Sequence, residues 1–273
     1  MMTEAEILPA RMSAADIDEL RRAVGLIEKN TLATRLTRAL GGHVEALGRA
    51  LPSPARRAVT YATENAMRVA LKVALRTLGP DRGAGFSSDR IHKIAAAASG
   101  AVGGAFGIAA LAVELPVSTT ILLRSIAEIA RSEGEDLSLP ESRLACVEVF
   151  ALGGHQDDEV GIESGYLAAR AMLAQSVGES AKFLLKSGLV GESAPVVVRM
   201  ISQIAARFGV AVSEKIAAQA VPILGAVGGA AVNAAFADHF QTLARGHFIV
   251  RRLERQYGPD FVHDAYRRVS TEL

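Results

Sequence analysis

Apolar positions recur three and four residues apart along most of this chain and almost never alternate, a pattern that predicts helices from end to end. Ile17, Leu20, Val24 and Ile27 form one such stripe, with Ser13 and Asp16 ahead of it in capping-box spacing. Ser53-Pro54 opens a second helix, because the first turn has no use for the N–H that proline lacks. Gly79-Pro80 closes it, and the Gly/Ser-rich stretch from Gly79 to Asp89 is the best internal boundary. Ser88 or Asp89 then caps a long apolar segment. Further helices are expected over 117–133, ending at Gly134, and from Ser138 and Pro140 to Gly153-Gly154. Others follow over 162–177, 179–188, 194–208 and 213–221, and from Pro222 to Tyr257 before Gly258-Pro259. Val196-Val197-Val198 is the one β-branched run, and Ser193 and Pro195 ahead of it mark a helix start. The expected fold is an all-α, multi-helix bundle, with an N-terminal helical region over 1–78 and a helical domain over 88–273.

Two stretches stand apart from the amphipathic rest. Residues 94–113 and 216–237 carry no charge, and both contain Gly-Ala-Val-Gly-Gly-Ala, at Gly100–Ala105 and Gly225–Ala230. Gly100 with Gly104, Gly103 with Gly107, and Gly225 with Gly229 are four apart, and Gly228 lies in the same string. On a helix this spacing leaves a flat strip on which a second backbone packs closely. Glycine inside a helix costs about 1 kcal/mol relative to alanine, so the repetition calls for a packing reason. The two stretches are therefore expected to be central hydrophobic helices packed on each other. Both are also long enough to span a bilayer. The first has only six large apolar residues, each contributing about −0.3 to −0.6 kcal/mol at a membrane centre, a sum of roughly −3 at best. The second includes Gln219, Pro222 and Asn233. Buried or surface-lying helices fit this content better than a spanning pair.

Composition narrows the picture further. Half of the chain is hydrophobic but only 5% is aromatic, with no tryptophan, which suits close helix packing rather than an aromatic-lined groove. The single Cys146 excludes an intrachain disulfide and a multi-cysteine zinc site. Residues 1–30 have no apolar core stretch, so no secretory signal is expected there. The net charge of +1 hides a division into +5 over 1–93, −7 over 94–195 and +3 over 196–273. The two basic ends could attract anionic lipid or phosphate at long range, but an uneven, solvated surface accounts for the division better. A near-neutral total argues against nucleic acid, although Arg251, Arg252, Arg255, Arg267 and Arg268 cluster near the end.

Several strings taken together resemble the EcsC family of bacterial proteins over roughly residues 65–270. They are Glu114-Leu115-Pro116 with Arg124, Ile126, Ile129, Ala130 and Gly134; Val149 to Gly154; and Tyr166 with Arg170. Toward the C-terminus they continue with Pro222, Gly225-Ala226 and Asn233, then Ala244, His247-Phe248, Arg252-Leu253-Glu254 and Tyr257-Gly258. The family is named after a protein encoded beside an ABC transporter. The resemblance implies a helical, membrane-associated or transporter-linked protein, and it brings no catalytic residues with it.

Chemistry-bearing motifs are absent: no phosphate loop, no His-Glu-x-x-His and no Gly-x-Ser-x-Gly. His155, Asp157, Asp158, Glu159 and Glu163 form the densest polar group. They could ligate a hard divalent cation, but acidic residues before a helix also complement its positive end. Glu114 closes the first uncharged run and needs a partner if buried; Arg124 and Glu128 lie one to two turns on. Cys146, among Leu144, Ala145 and Val147, reads as a buried structural thiol. His247 shares a register with Phe236, Phe240, Leu243 and Val250 and reads as a core histidine. The sequence therefore points to a non-enzymatic accessory protein without a cofactor, cytoplasmic or peripheral to the inner membrane, with a membrane surface or membrane protein as partner. A metal-dependent enzyme using His155–Glu163 and an integral membrane protein are the alternatives.

Overall fold

The structure, a computed structural model, describes residues 12–29, 31–40, 53–79, 111–153, 165–187, 194–219 and 225–272. These residues form helices and short connections only, as the apolar spacing requires. In chain order the helices are α1 (Ala14–Glu28), α2 (Leu32–Leu40), α3 (Ser53–Thr77), α4 (Leu111–Ser132) and α5 (Pro140–Leu152). They continue with α6 (Gly165–Ser187), α7 (Pro195–Gln219), α8 (Gly225–Tyr257) and α9 (Pro259–Glu272).

Ser13 caps α1 as its spacing predicts, accepting a bond from the Asp16 N–H at 3.1 Å. The structure differs from the sequence reading at five places, the first being α2, where no helix is expected from the sequence signals above. The helices expected over 162–177 and 179–188 are one helix, α6, and those over 194–208 and 213–221 are α7. Gly178 and Gly209 do not interrupt them, because one glycine costs about 1 kcal/mol and both helices are anchored by buried residues on either side. Helix α4 begins before 117 and runs through Pro116, which removes a single ladder bond without ending the helix. After Gly258-Pro259 the chain turns into α9, which folds back on α8 and α1.

Two helices form the interior. Helix α5 is buried at every position from Leu144 to Leu152, enclosed by α3, α4, α6, α7 and α8. Helix α8 is buried at all positions from His239 to Val250 except Arg245. Phe150, Phe208, Phe236 and Phe240 meet between α5, α7 and α8 with ring centroids 5.0–6.1 Å apart. Cys146 is fully buried, and burial pushes its thiol up to about 12.

The two uncharged runs meet different fates. In the second, residues 216–219 belong to α7 and those from Gly225 onward to α8, where Val232, Asn233 and Phe236 are buried; residues 220–224 lie outside the described residues. Gly100, Gly103, Gly104 and Gly107 of the first lie outside the described residues, and so does its pairing with Gly225, Gly228 and Gly229. Among the described residues one helix, α7, is long and apolar enough to cross a membrane. Its outward positions include Arg199, Ser202 and Gln203, all exposed, so it is amphipathic.

Helix α1 crosses α8 at Gly246, where a Cβ would stand 2.6 Å from Ile27 Cγ1 and 3.0 Å from the Ala23 carbonyl oxygen. A backbone oxygen cannot rotate away. Gly246→Ala is therefore expected to destabilise the protein by about 1–3 kcal/mol through forced separation of the helices. Gly178→Ala, with nothing within 4 Å of its Cβ, should instead stabilise by up to about 1 kcal/mol. Denaturant unfolding of the two variants checks both signs.

Candidate functional site

Buried charge is concentrated around α8, and each case has its own local cause. Gly134 has a φ of +77°, a conformation glycine adopts without strain, and it ends α4 in a tight turn. The turn brings Glu133 and Glu135 from either side of it to α8. Glu135 accepts from Arg251 Nε at 2.8 Å and Nη2 at 3.3 Å, from Ser142 Oγ at 2.8 Å, and from Arg255. Burial works against its charge, but the bonds and charges of Arg251, Ser142 and Arg255 outweigh it and hold its carboxyl below the ordinary range. Arg252 Nε donates to Glu133 at 2.9 Å.

On the other side of α8, Arg170 of α6 donates to both oxygens of Glu254, at 2.5 and 3.0 Å, in the bidentate geometry that suits guanidinium and carboxylate. His263 of α9 reaches the same carboxylate at 2.8 Å. One turn before Arg170, Tyr166 lies 3.0 Å from His247 Nδ1 and stacks on Tyr266, whose hydroxyl donates to Glu28 of α1 at 2.7 Å. His247 is fully buried; burial first, then the positive charges of Arg170 and Arg251, hold its pKa well below the usual histidine value, so it is neutral. It is the core histidine its register predicts, with Nδ1 satisfied and Nε2 unbonded among the described residues.

Between α5, α6, α8 and α9 lies a cleft of about 410 Å³. Its polar lining is Glu141 and Glu148 of α5, Arg170 and Lys182 of α6, Arg251 of α8, and His263 and Arg267 of α9; small apolar residues of α6 form one wall. Glu148 is 6% exposed. It makes no hydrogen bond or ion pair among the described residues. Burial raises its pKa, against the weaker pull of Arg170 and Arg251. The cleft thus presents a carboxyl whose charged form burial disfavours, with Arg170 and Arg251 also among its lining residues.

The residues that the sequence singles out divide sharply. Glu114 does form a structural ion pair, but with Lys215 of α7 at 2.8 Å rather than with Arg124; the ammonium also lies 5.2 Å from the centre of the Phe236 ring. No spacing along α4 could reveal that partner, 101 residues away. His155, Asp157, Asp158, Glu159 and Glu163 lie outside the described residues; among those described, no group of three His, Cys, Asp or Glu side chains could hold a metal ion. Arg251, Arg252 and Arg255 are bound to carboxylates of the same chain. Glu148 escapes a reading of the sequence, although its signal is present: it is the one charge in the otherwise apolar run Leu144 to Leu152.

The sequence model of the EcsC protein family matches residues 81–253, more than half of the chain. The chain belongs to the EcsC protein family. No curated protein and no solved structure matches it. The EcsC match includes Glu148, Tyr166, Arg170, His247 and Arg251, whereas Glu254, His263 and Arg267 follow its end and α1, which closes over Tyr266, precedes it. Strings that carry the EcsC resemblance, Tyr166 with Arg170 and His247 with Glu254, converge at this one place.

Two substitutions test these electrostatics. Lys215→Met leaves Glu114 buried without its cation and should cost about 3–5 kcal/mol, most of it recovered in the double variant Glu114→Gln/Lys215→Met; urea unfolding of the three proteins measures this. Glu148 acts with the opposite sign from an ordinary paired carboxylate. Its folded pKa lies above its unfolded one, so between the two values the folded state holds the extra proton and stability falls as pH rises. Glu148→Gln should remove that decline and be at least as stable as wild type at neutral pH. Glu135, whose carboxyl is depressed, loses its stabilisation as pH falls, equally in both proteins. The difference between their melting-temperature profiles therefore isolates Glu148.

Proposed function

We propose that this EcsC-family protein is a non-enzymatic accessory protein that attaches peripherally to the cytoplasmic face of the inner membrane and acts there by binding. The observation that carries this reading is the start of α4. Val113 and Val117, one turn apart, are 71% and 49% exposed, and the uncharged run 94–113 leads directly into them. An apolar helix face open to solvent and continuous with an apolar run suits insertion into the headgroup region. Net charges of +5 over 1–93 and +3 over 196–273 add attraction to anionic lipid. A binding role rather than a chemical one is favoured because Glu114, Glu133, Glu135 and Glu254 are engaged in ion pairs that hold helices together. A membrane-embedded transporter as partner rests on the family resemblance alone.

Cell fractionation tests the proposal. The protein should sediment with membranes at low salt and leave them in alkaline carbonate, and Val113→Asp/Val117→Asp should move it to the soluble fraction without lowering its melting temperature. Wild-type protein in the soluble fraction, or retention in the carbonate pellet, would overturn peripheral attachment.

A further inference from the structure

Glu148 is almost wholly buried, has no bonding partner among the described residues, and meets the cleft with what remains accessible. Desolvating an acid in this way is costly unless it stays neutral or something occupies the space beside it. Arg251 is the second incomplete group. Its Nε and Nη2 are bound to Glu135, while Nη1 makes no bond among the described residues, and Arg251 is among the residues that line the same cleft. A buried carboxyl without a bonding partner has, when protonated, one O–H to give, and the unbonded end of a guanidinium has N–H groups to give. Two donors of this kind converge naturally on the oxygens of one anion.

The groups facing Glu148 are Glu141 on its own helix, Arg170 and Lys182 on α6, Arg251 and the paired Glu254 on α8, and His263 and Arg267 on α9. Arg170, Arg251 and Arg267 are paired with Glu254, Glu135 and Asp264, so what the cleft offers an oxyanion is individual N–H donors, with Lys182 among its lining residues, rather than a net positive charge. The other wall is apolar: Leu167, Ala171, Ala174, Val177 and Ala181 stand along α6, and Leu185 ends the row. A volume of about 410 Å³ lies in the usual range for small-molecule sites, about 300–1,000 Å³.

We infer that the cleft between α5, α6, α8 and α9 binds a small amphiphilic oxyanion, its carboxylate or phosphate-monoester head held by Arg251 Nη1 and the Glu148 carboxyl and its apolar body laid along α6. The inference does not depend on membrane attachment, because the cleft lies apart from the Val113–Val117 face and would serve a soluble anion equally well.

Calorimetric titration of the full chain with octyl phosphate, below the concentration at which it aggregates, tests this. Saturable one-to-one binding is expected, with inorganic phosphate weaker by at least about tenfold for want of the buried chain and octylammonium not competing. Glu148→Gln keeps a donor and should retain the affinity to within about threefold, whereas Glu148→Leu keeps none and should lose about tenfold while melting no lower than wild type. Lys182→Gln/Arg267→Gln, both exposed and outside the core ion pairs, should weaken binding by about threefold or more. Flotation with phosphatidylcholine vesicles containing phosphatidic acid separates the sources of the head. Weakened flotation of Glu148→Leu assigns the site to a lipid, and unchanged flotation beside weakened octyl phosphate binding assigns it to a soluble ester. Absence of saturable binding, equal binding of octylammonium, or unchanged affinity in both Glu148→Leu and Lys182→Gln/Arg267→Gln would overturn the inference.

Discussion

The charges that α8 carries inward are met by opposite charges from other helices and from the turn after α4, and the choice of partners organises the molecule. Arg251, Arg252 and Arg255 project to the turn after α4, where Gly134 sets Glu133 and Glu135 to receive them; Arg252 also reaches Glu19 of α1. Glu254 gathers Arg170 from α6 and His263 from α9. Asp238 takes Arg35 of α2. Removing one member of such a pair strands the other in a medium that solvates it poorly, so the pairs act as constraints on helix position more than as sources of net stability. They explain how helices from both ends of the chain come to lie on a single long one.

Glu148 stands out against this matching. It sits on α5, the helix with least access to solvent, between two arginines that are each committed to another carboxylate. A core optimised only for stability would place leucine there, since an unpaired buried acid costs more than it returns. Departures of this kind concentrate where a protein does something other than hold itself together. The neighbouring Tyr166, His247 and Tyr266 are bonded to or stacked on one another, and Tyr266 is tied to Glu28 of α1.

The helices themselves are legible in the sequence because each signal is local. Ser13 with Asp16, Pro54 and Pro140 at helix starts, and the registers of α1 and α8 all act within one or two turns. The same locality misleads at Gly178, Gly209 and Pro116. The cost of a breaker in an isolated helix suggests an end at each, whereas burial of the flanking turns exceeds that cost. His247 and Cys146 are legible as core residues from their apolar neighbours alone. The partner of Glu114 is not, because Arg124 and Glu128 are near in sequence while Lys215 is near in space.

The sequence by itself determined an all-α chain, the caps and apolar faces of several helices, the lack of recognisable catalytic motifs, and membership of a family through strings scattered along it. Tertiary structure alone decided which charges neutralise which, that Tyr166, Arg170, His247 and Glu254 meet at one place, and that Glu148 makes no bond among the described residues there. The reason is physical. Helix formation depends on residues a few positions apart, whereas the energy of a buried charge depends on whatever stands within a few ångströms, and that neighbour comes from a distant part of the chain.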